Sequence, residues 1–164
     1  MIDFFQKGAS MTKKITGIAK LKGVPDINVR PARKITKVGT FYDEEDAVTS
    51  ILLEVASDDE SRKHGLMGRE KLPDICGMLF EGLSGGGYFW MKNCLIPLDV
   101  AFMTNHGFIT KIYSMPVDED GENHYEYGKD DVIAVEVPMG FFKKRGIVRG
   151  FKLETRDLST KKEK

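Results

Sequence analysis

Gly85-Gly86-Gly87-Tyr88-Phe89-Trp90-Met91-Lys92-Asn93-Cys94-Leu95-Ile96-Pro97-Leu98-Asp99-Val100-Ala101-Phe102-Met103 decides how this chain is read. A glycine turn leads into an apolar segment, a polar loop follows at Lys92-Asn93, and beyond Pro97 a second apolar segment carries one carboxylate, Asp99. An amide and a carboxylate held between two apolar strands need partners, because a buried polar group left unpaired costs roughly 1–3 kcal/mol. Such residues either hold a turn together or hold a ligand.

The segments on either side extend the strand reading. Residues 48–56 are β-branched and apolar, with Ile51, Leu53 and Val55 on one face. Ser57 with Glu60 three positions later is a capping box for a short helix over about residues 58–64, which Gly65 stops. Residues 76–80 and 87–91 read as short strands. Leu98–Met103 and residues 108–115 flank Thr104-Asn105-His106-Gly107, a hairpin signal. Residues 116–129, acidic and bearing Gly121 and Gly128, read as the longest loop. Residues 131–137 alternate so that one face carries Glu136, residues 138–145 suit a helical turn, and residues 148–154 close the domain as a last strand. Six or seven short strands and one clear helix predict an α+β fold leaning to β. The expected form is a small curved, mostly antiparallel sheet, a barrel or half-barrel, preceded by an extended N-terminal arm.

At 164 residues the chain suits one domain with an appendage. No apolar run approaches the roughly 20 residues that span a bilayer, and the N-terminus lacks the basic start and apolar middle of a signal peptide. A cytoplasmic origin without secretion is expected. Net charge is zero but unevenly spread: residues 1–40 hold nine bases and two acids, +7, leaving −7 on the remainder. Ile15, Ile18, Leu21, Val24 and Ile27 recur every third position among Gly17, Gly23, Pro25 and Pro31. That period fits neither helix nor strand and suits an extended, polyproline-like arm laid along another surface; the same composition also suits a solvated basic leader. Lys13, Lys14, Arg33 and Lys34 supply its charge. No aromatic interleaves with these pairs to stack on bases, which argues against nucleic acid as partner. The acidic run Asp43-Glu44-Glu45-Asp46 reads as a hinge, giving an arm over 1–46, a β-rich domain over 47–154 and a charged tail over 155–164.

The domain resembles a widespread uncharacterised family, the domain of unknown function 192. The likeness rests on Glu60 and Arg62 ahead of Gly65-Leu66-Met67-Gly68-Arg69, on Gly77-Met78-Leu79-Phe80, on Phe89-Trp90-Met91-Lys92-Asn93 with Pro97-Leu98-Asp99, and on Val135-Glu136-Val137 with Gly140 and Gly146-Ile147. Together they cover about residues 48–154. The resemblance implies a small β-rich domain and brings no established reaction. Cys94 stands where the family commonly has Thr, which argues against a nucleophile there, and the arm lies outside the family.

Arg69, Trp90, Asn93, Asp99 and Glu136 are the residues from which a pocket would be built. Two carboxylates, an amide and a guanidinium can bind a small polar ligand or act as acid and base. They can equally form a buried staple in which Arg69 pairs with Asp99 or Glu136 and Asn93 caps the turn. His64, His106 and His124 have no metal-ligand spacing to one another or to Cys76 and Cys94, so neither metal nor cofactor is expected. The expected function is non-enzymatic: a structural protein whose arm docks on neighbouring subunits of a large complex such as a virus particle, with homo-oligomers open. The alternatives are a ligand-binding or hydrolytic domain with a polar pocket around Asp99, and nucleic-acid binding through the arm.

Overall fold

From Lys37 onward, apolar residues alternate or run together in short segments, and these become strands. The computed structural model describes residues 34–44 and 46–158. In chain order the elements are β1 (Lys37–Asp43), β2 (Asp46–Ala56), α1 (Asp59–His64), β3 (Cys76–Glu81), β4 (Gly87–Phe89), β5 (Leu98–Met103), β6 (Ile109–Met115), β7 (Tyr125–Tyr127), β8 (Ile133–Pro138), α2 (Phe141–Arg145) and β9 (Lys152–Asp157). Seven strands form one sheet in the order β6-β5-β8-β3-β2-β1-β9, and β4 pairs with β7 in a separate ribbon. Every pairing is antiparallel except β2 with β3, which α1 and its loops connect. The β-leaning α+β architecture expected from the sequence is the one observed.

The sheet curls but does not close into a barrel. Its two edges meet at one corner, where Phe108 bridges Lys152 and hydrogen bonds join Ile109 to Phe151 and Gly150, and Leu153 to Gly107. The pairing goes no further along β6 and β9. Inside the curl, all seven strands contribute to one cluster that includes Phe41, Leu53, Leu79, Met103, Ile109, Val135 and Leu153. Helix α2 plugs it with Phe141 and Phe142, whose rings pack on Phe41 at centroid distances of 5.9 and 5.8 Å. A second cluster covers the outer face of β3, β5 and β8, where Phe89 and Tyr127 of the ribbon pack over it with Leu66 and Met91. The central strands are therefore buried on both faces.

Three elements, β1, β7 and the start of α1, depart from the sequence reading. Residues 37–43, counted with the arm on the strength of their charge, form β1, and Phe41 sits in the core. Of the acidic run, Asp43, Glu44 and Asp46 lie at the β1–β2 hairpin turn, with Asp43 opposite Asp46 and Glu44 at φ +51°, and all three are exposed; a tight turn keeps their charges in water as well as a hinge would. The stretch read as one long loop contains β7. The α1 capping box lies one position later than expected: Asp58 accepts from the Ser61 N–H at 2.8 Å and Ser61 Oγ accepts from the Asp58 N–H. The arm positions Lys13, Lys14, Ile15, Ile18, Leu21, Val24, Ile27 and Arg33 lie outside the described residues; Lys34 lies within them and is exposed.

Gly107 makes the corner. Its φ is +83°, and a Cβ there would overlap the Leu153 carbonyl oxygen. Gly107→Ala should therefore cost roughly 1–3 kcal/mol, since left-handed backbone and backbone overlap act together. Urea denaturation of the two proteins would measure it, and a difference within error would mean the corner does not hold the edges.

Candidate functional site

Register brings two glutamates into one row on the outer face of the sheet. Glu54 of β2 pairs with Met78 of β3, Met78 with Glu136 of β8, and Glu136 with Val100 of β5. Paired residues point the same way, so the two carboxyls share a face with the Met78 side chain between them, about 10 Å apart at the backbone from the strand spacing. Both residues are buried, Glu54 at 2 % and Glu136 at 5 % exposure.

The chain treats them differently. Arg69, on the loop after α1, grips Glu54 with both arms of its guanidinium, Nη1 to Oε1 at 2.9 Å and Nη2 to Oε2 at 2.6 Å. This fork geometry is among the stronger charge-assisted pairings. Arg69 thus pairs with neither Asp99 nor Glu136. Among the described residues, no donor reaches Glu136. Burial pushes its carboxyl up to about 8, so it holds its proton at neutral pH.

Glu136 opens instead onto a cleft of about 380 Å³. The walls are Leu66 and Met67 from the loop after α1, Phe80 and Cys94 from below, and Tyr88, Phe89, Trp90 and Tyr127 from the ribbon side. Alternation along β4 turns Phe89 inward, edge-on to Phe80 at 4.9 Å and Phe102 at 5.1 Å, and leaves Tyr88 and Trp90 at the lip, 51 % and 38 % exposed. Gly87 leaves room for the Tyr127 ring, which a Cβ at that position would strike. His124 stacks on Tyr88 at 3.9 Å, and Lys92 Nζ lies 5.3 Å from the Trp90 ring centre. The rim is basic: Lys63 and His64 are exposed, while Arg62 is locked by bonds to the Ser57 and Glu81 carbonyls and to Asp59.

Of the five residues singled out in the sequence, Trp90 and Glu136 line this cleft together. The other three stand elsewhere. Asp99 faces the opposite side of the sheet from Glu136, because it neighbours Val100, Glu136's partner, along β5. Ser114 Oγ donates to its Oδ1 at 2.7 Å and the Gly140 N–H donates to its Oδ2 at 2.9 Å, so Asp99 is a staple between β5, β6 and the turn before α2. Asp99 lines a separate, open cavity of about 610 Å³ with Thr110, Ser114, Phe142, Lys143 and Arg149, on the other face of the sheet from the Glu136 cleft. Asn93 is exposed, takes a left-handed φ of +60° that Asn tolerates better than most residues, and uses its carbonyl to accept from the Gly68 N–H. Glu54, Tyr88 and Tyr127 were not anticipated. An acid inside the apolar run Ile51-Leu52-Leu53-Glu54-Val55 was the available signal for the first, and the alternation Tyr125-Glu126-Tyr127 for the last.

The cysteines are free and buried. Burial and the nearby Glu136 raise the Cys94 thiol to about 12; burial and the Glu54 charge raise Cys76 to about 12 against the pull of Arg69. Among the described residues, no three His, Cys, Asp or Glu side chains cluster as metal ligands, and no helix is long and apolar enough to cross a membrane.

A family model for DUF192, described as "Uncharacterized ACR", matches residues 41–155, a span that opens inside β1. No curated protein matches the chain. Among solved structures, one from Sinorhizobium meliloti 1021, described as a "putative transcription regulator", aligns with a TM-score of 0.66 at 26% identity, over 73% of this chain and 92% of that one. A protein of unknown function from Novosphingobium aromaticivorans DSM 12444 aligns with a TM-score of 0.68 at 24% identity, over 83% of this chain and 96% of that one, a likeness of fold.

The burial of Glu136 carries a pH signature. The folded carboxyl keeps its proton up to about pH 8, whereas in the unfolded chain it ionises near its ordinary value of 4.5. Between those values the native state binds the extra proton, so stability falls as pH rises, by on the order of 1 kcal/mol per unit. Glu136→Gln should flatten that slope and be the more stable protein at pH 8. Urea titrations at pH 5, 6.5 and 8 would show it; parallel slopes for both proteins would place the carboxyl in water.

Proposed function

We propose, for a chain that belongs to the DUF192 family and takes no assigned reaction from it, that the domain binds a small ligand in the cleft over Glu136. The observation that carries this reading is a buried carboxyl with no donor among the described residues, aimed into a cleft walled by aromatic rings. A sheet selected for stability alone would place an apolar residue there, as it does at Met78 and Val100 in the same row. Leaving a polar group unpaired in a buried site costs roughly 1–3 kcal/mol, which a ligand hydrogen bond would offset. Concave, largely apolar walls with few convergent polar groups are the general form of small-molecule sites.

Trp90 separates binding from stability, because it is partly exposed at the lip. Trp90→Ala should change stability by no more than about 0.5 kcal/mol, as surface substitutions do, and weaken ligand binding about tenfold or more. Two-dimensional NMR of the full chain against a panel of small polar metabolites would test this. Ligand-induced shifts should cluster at residues 62–67, Trp90 and Glu136. Shifts elsewhere, or none across the panel, would remove the reading.

The assembly reading keeps one support, the division of charge between a +7 head and a −7 remainder. On it, the arm docks on acidic surfaces of neighbouring subunits in a large particle, a virus particle among them. Replacing Lys13, Lys14, Arg33 and Lys34 by Glu should then abolish co-sedimentation with the source's large particles. Unchanged sedimentation would end that proposal.

A further inference from the structure

The two glutamates in one row differ in a single respect. Glu54 is given an internal cation, Arg69, and Glu136 is given none among the described residues. The sheet thus neutralises one carboxyl from within and turns the other toward a cleft accessible from outside. From this geometry we infer that the ligand is a small organic ammonium zwitterion, its cationic end seated between the aromatic walls and the Glu136 carboxyl and its anionic end at the basic rim. The inference rests on the ligand-binding reading and names the ligand's charge pattern.

Three features support that orientation. Aromatic faces attract ammonium groups through the negative potential above the ring, and Tyr88, Phe89, Trp90 and Tyr127 supply four rings around the cleft. The chain already uses one of them so: Lys92 Nζ lies 5.3 Å from the Trp90 ring centre. The rim has the opposite character. Asp59 and two carbonyls occupy Arg62, but Lys63 and His64 remain exposed and face the cleft mouth. A purely cationic ligand would meet repulsion there, whereas a zwitterion entering cation first meets complementary charge at both ends. The volume, about 380 Å³, is at the small end of ligand sites and suits a compact molecule.

Seating the ammonium ionises Glu136 and releases its proton to solvent. Affinity should therefore rise with pH toward 8. The other titratable groups facing the cleft are Asp59, Arg62, Lys63, His64, Tyr88 and Tyr127. Cys94 stays protonated throughout.

The test compares probes of equal shape and different charge on the full chain. Glycine betaine is paired with 3,3-dimethylbutanoate, which replaces its nitrogen by carbon, and with choline, which lacks the carboxylate; glucose serves as a neutral polar probe. Isothermal titration and Trp90 indole shifts should show betaine binding about tenfold or more tighter than its carbon isostere, the scale of an ammonium–aromatic contact joined to charge attraction by the Glu136 carboxylate. Glu136→Gln should erase that preference, and Lys63→Glu should shift it from betaine toward choline. Binding of the carbon isostere or of glucose as tightly as betaine would overturn the cation inference and leave the ligand-binding reading standing. No binding of any probe would overturn both. Two-dimensional NMR spectra of Glu136→Gln and Lys63→Glu that keep the dispersion of the unsubstituted chain guard against an effect of misfolding.

Discussion

The sheet is covered on both faces, and this constraint governs everything else. Inside the curl the seven strands close on α2; outside, the ribbon and the segment after α1 cover the central strands. Every polar side chain that enters those strands must then be matched within the protein or open onto a cavity. Asp99 is matched by Ser114 and Gly140, Glu54 by Arg69, and Asp131 by Thr110 and the Gly128 N–H. Each match joins segments distant in sequence, so the buried carboxylates act as ties between loops and sheet. Glu136 alone among the buried acids is left to the cleft.

The cleft follows from how the outer face is covered. A second full sheet would seal it, but the cover is a two-stranded ribbon of three residues a side and a helix of six. Phe89 and Tyr127 anchor the ribbon over Phe102, at 5.1 and 5.3 Å. Leu66 anchors the other side in the same cluster. Between the two anchors the roof is incomplete, and the gap lies over β8 where Glu136 stands. Short elements cannot present enough side chains to fill such a space, so the pocket is a consequence of element length as much as of any single residue.

Much of the fold was legible because strands announce themselves by local pattern. The alternation at residues 51–55, the hairpin signal at 104–107 and Gly65 after the short helix each depend on neighbours within a few residues. Strand β1 was hidden for a local reason too: its charge matched the basic residues before it, while Val38 and Phe41, the side chains that bury it, are separated by Gly39 and Thr40. Strand β7 is too short, inside an acidic stretch, to rise above loop composition. The site was less legible. Period-two alternation fixes which residues of one strand share a face, but not which face of the neighbouring strand they meet. That Asp99 and Glu136 lie on opposite sides, and that Glu54 and Glu136 lie on the same one, depends on register between strands remote in sequence. The family motif marks Arg69, Asp99 and Glu136 without saying that they belong to three separate arrangements.

The same burial also bears on whether the cleft does chemistry or only binds. A hydrolytic site needs a group that accepts a proton and one that donates it, with their proton affinities set apart. Here the two groups at the floor are pushed the same way. Burial holds the Glu136 proton up to about pH 8, and burial together with Glu136 holds the Cys94 proton up to about 12. The thiolate is the reactive form of cysteine, so the environment that makes Glu136 a hydrogen-bond donor also silences its neighbour. Asp59, the remaining carboxylate at the cleft, is engaged by Arg62 at 2.6 Å. The two buried groups at the floor thus both hold their protons near neutral pH in the unliganded domain, while Lys63 and His64 stand at the mouth, so the polar groups of the cleft divide into a neutral floor and a basic rim.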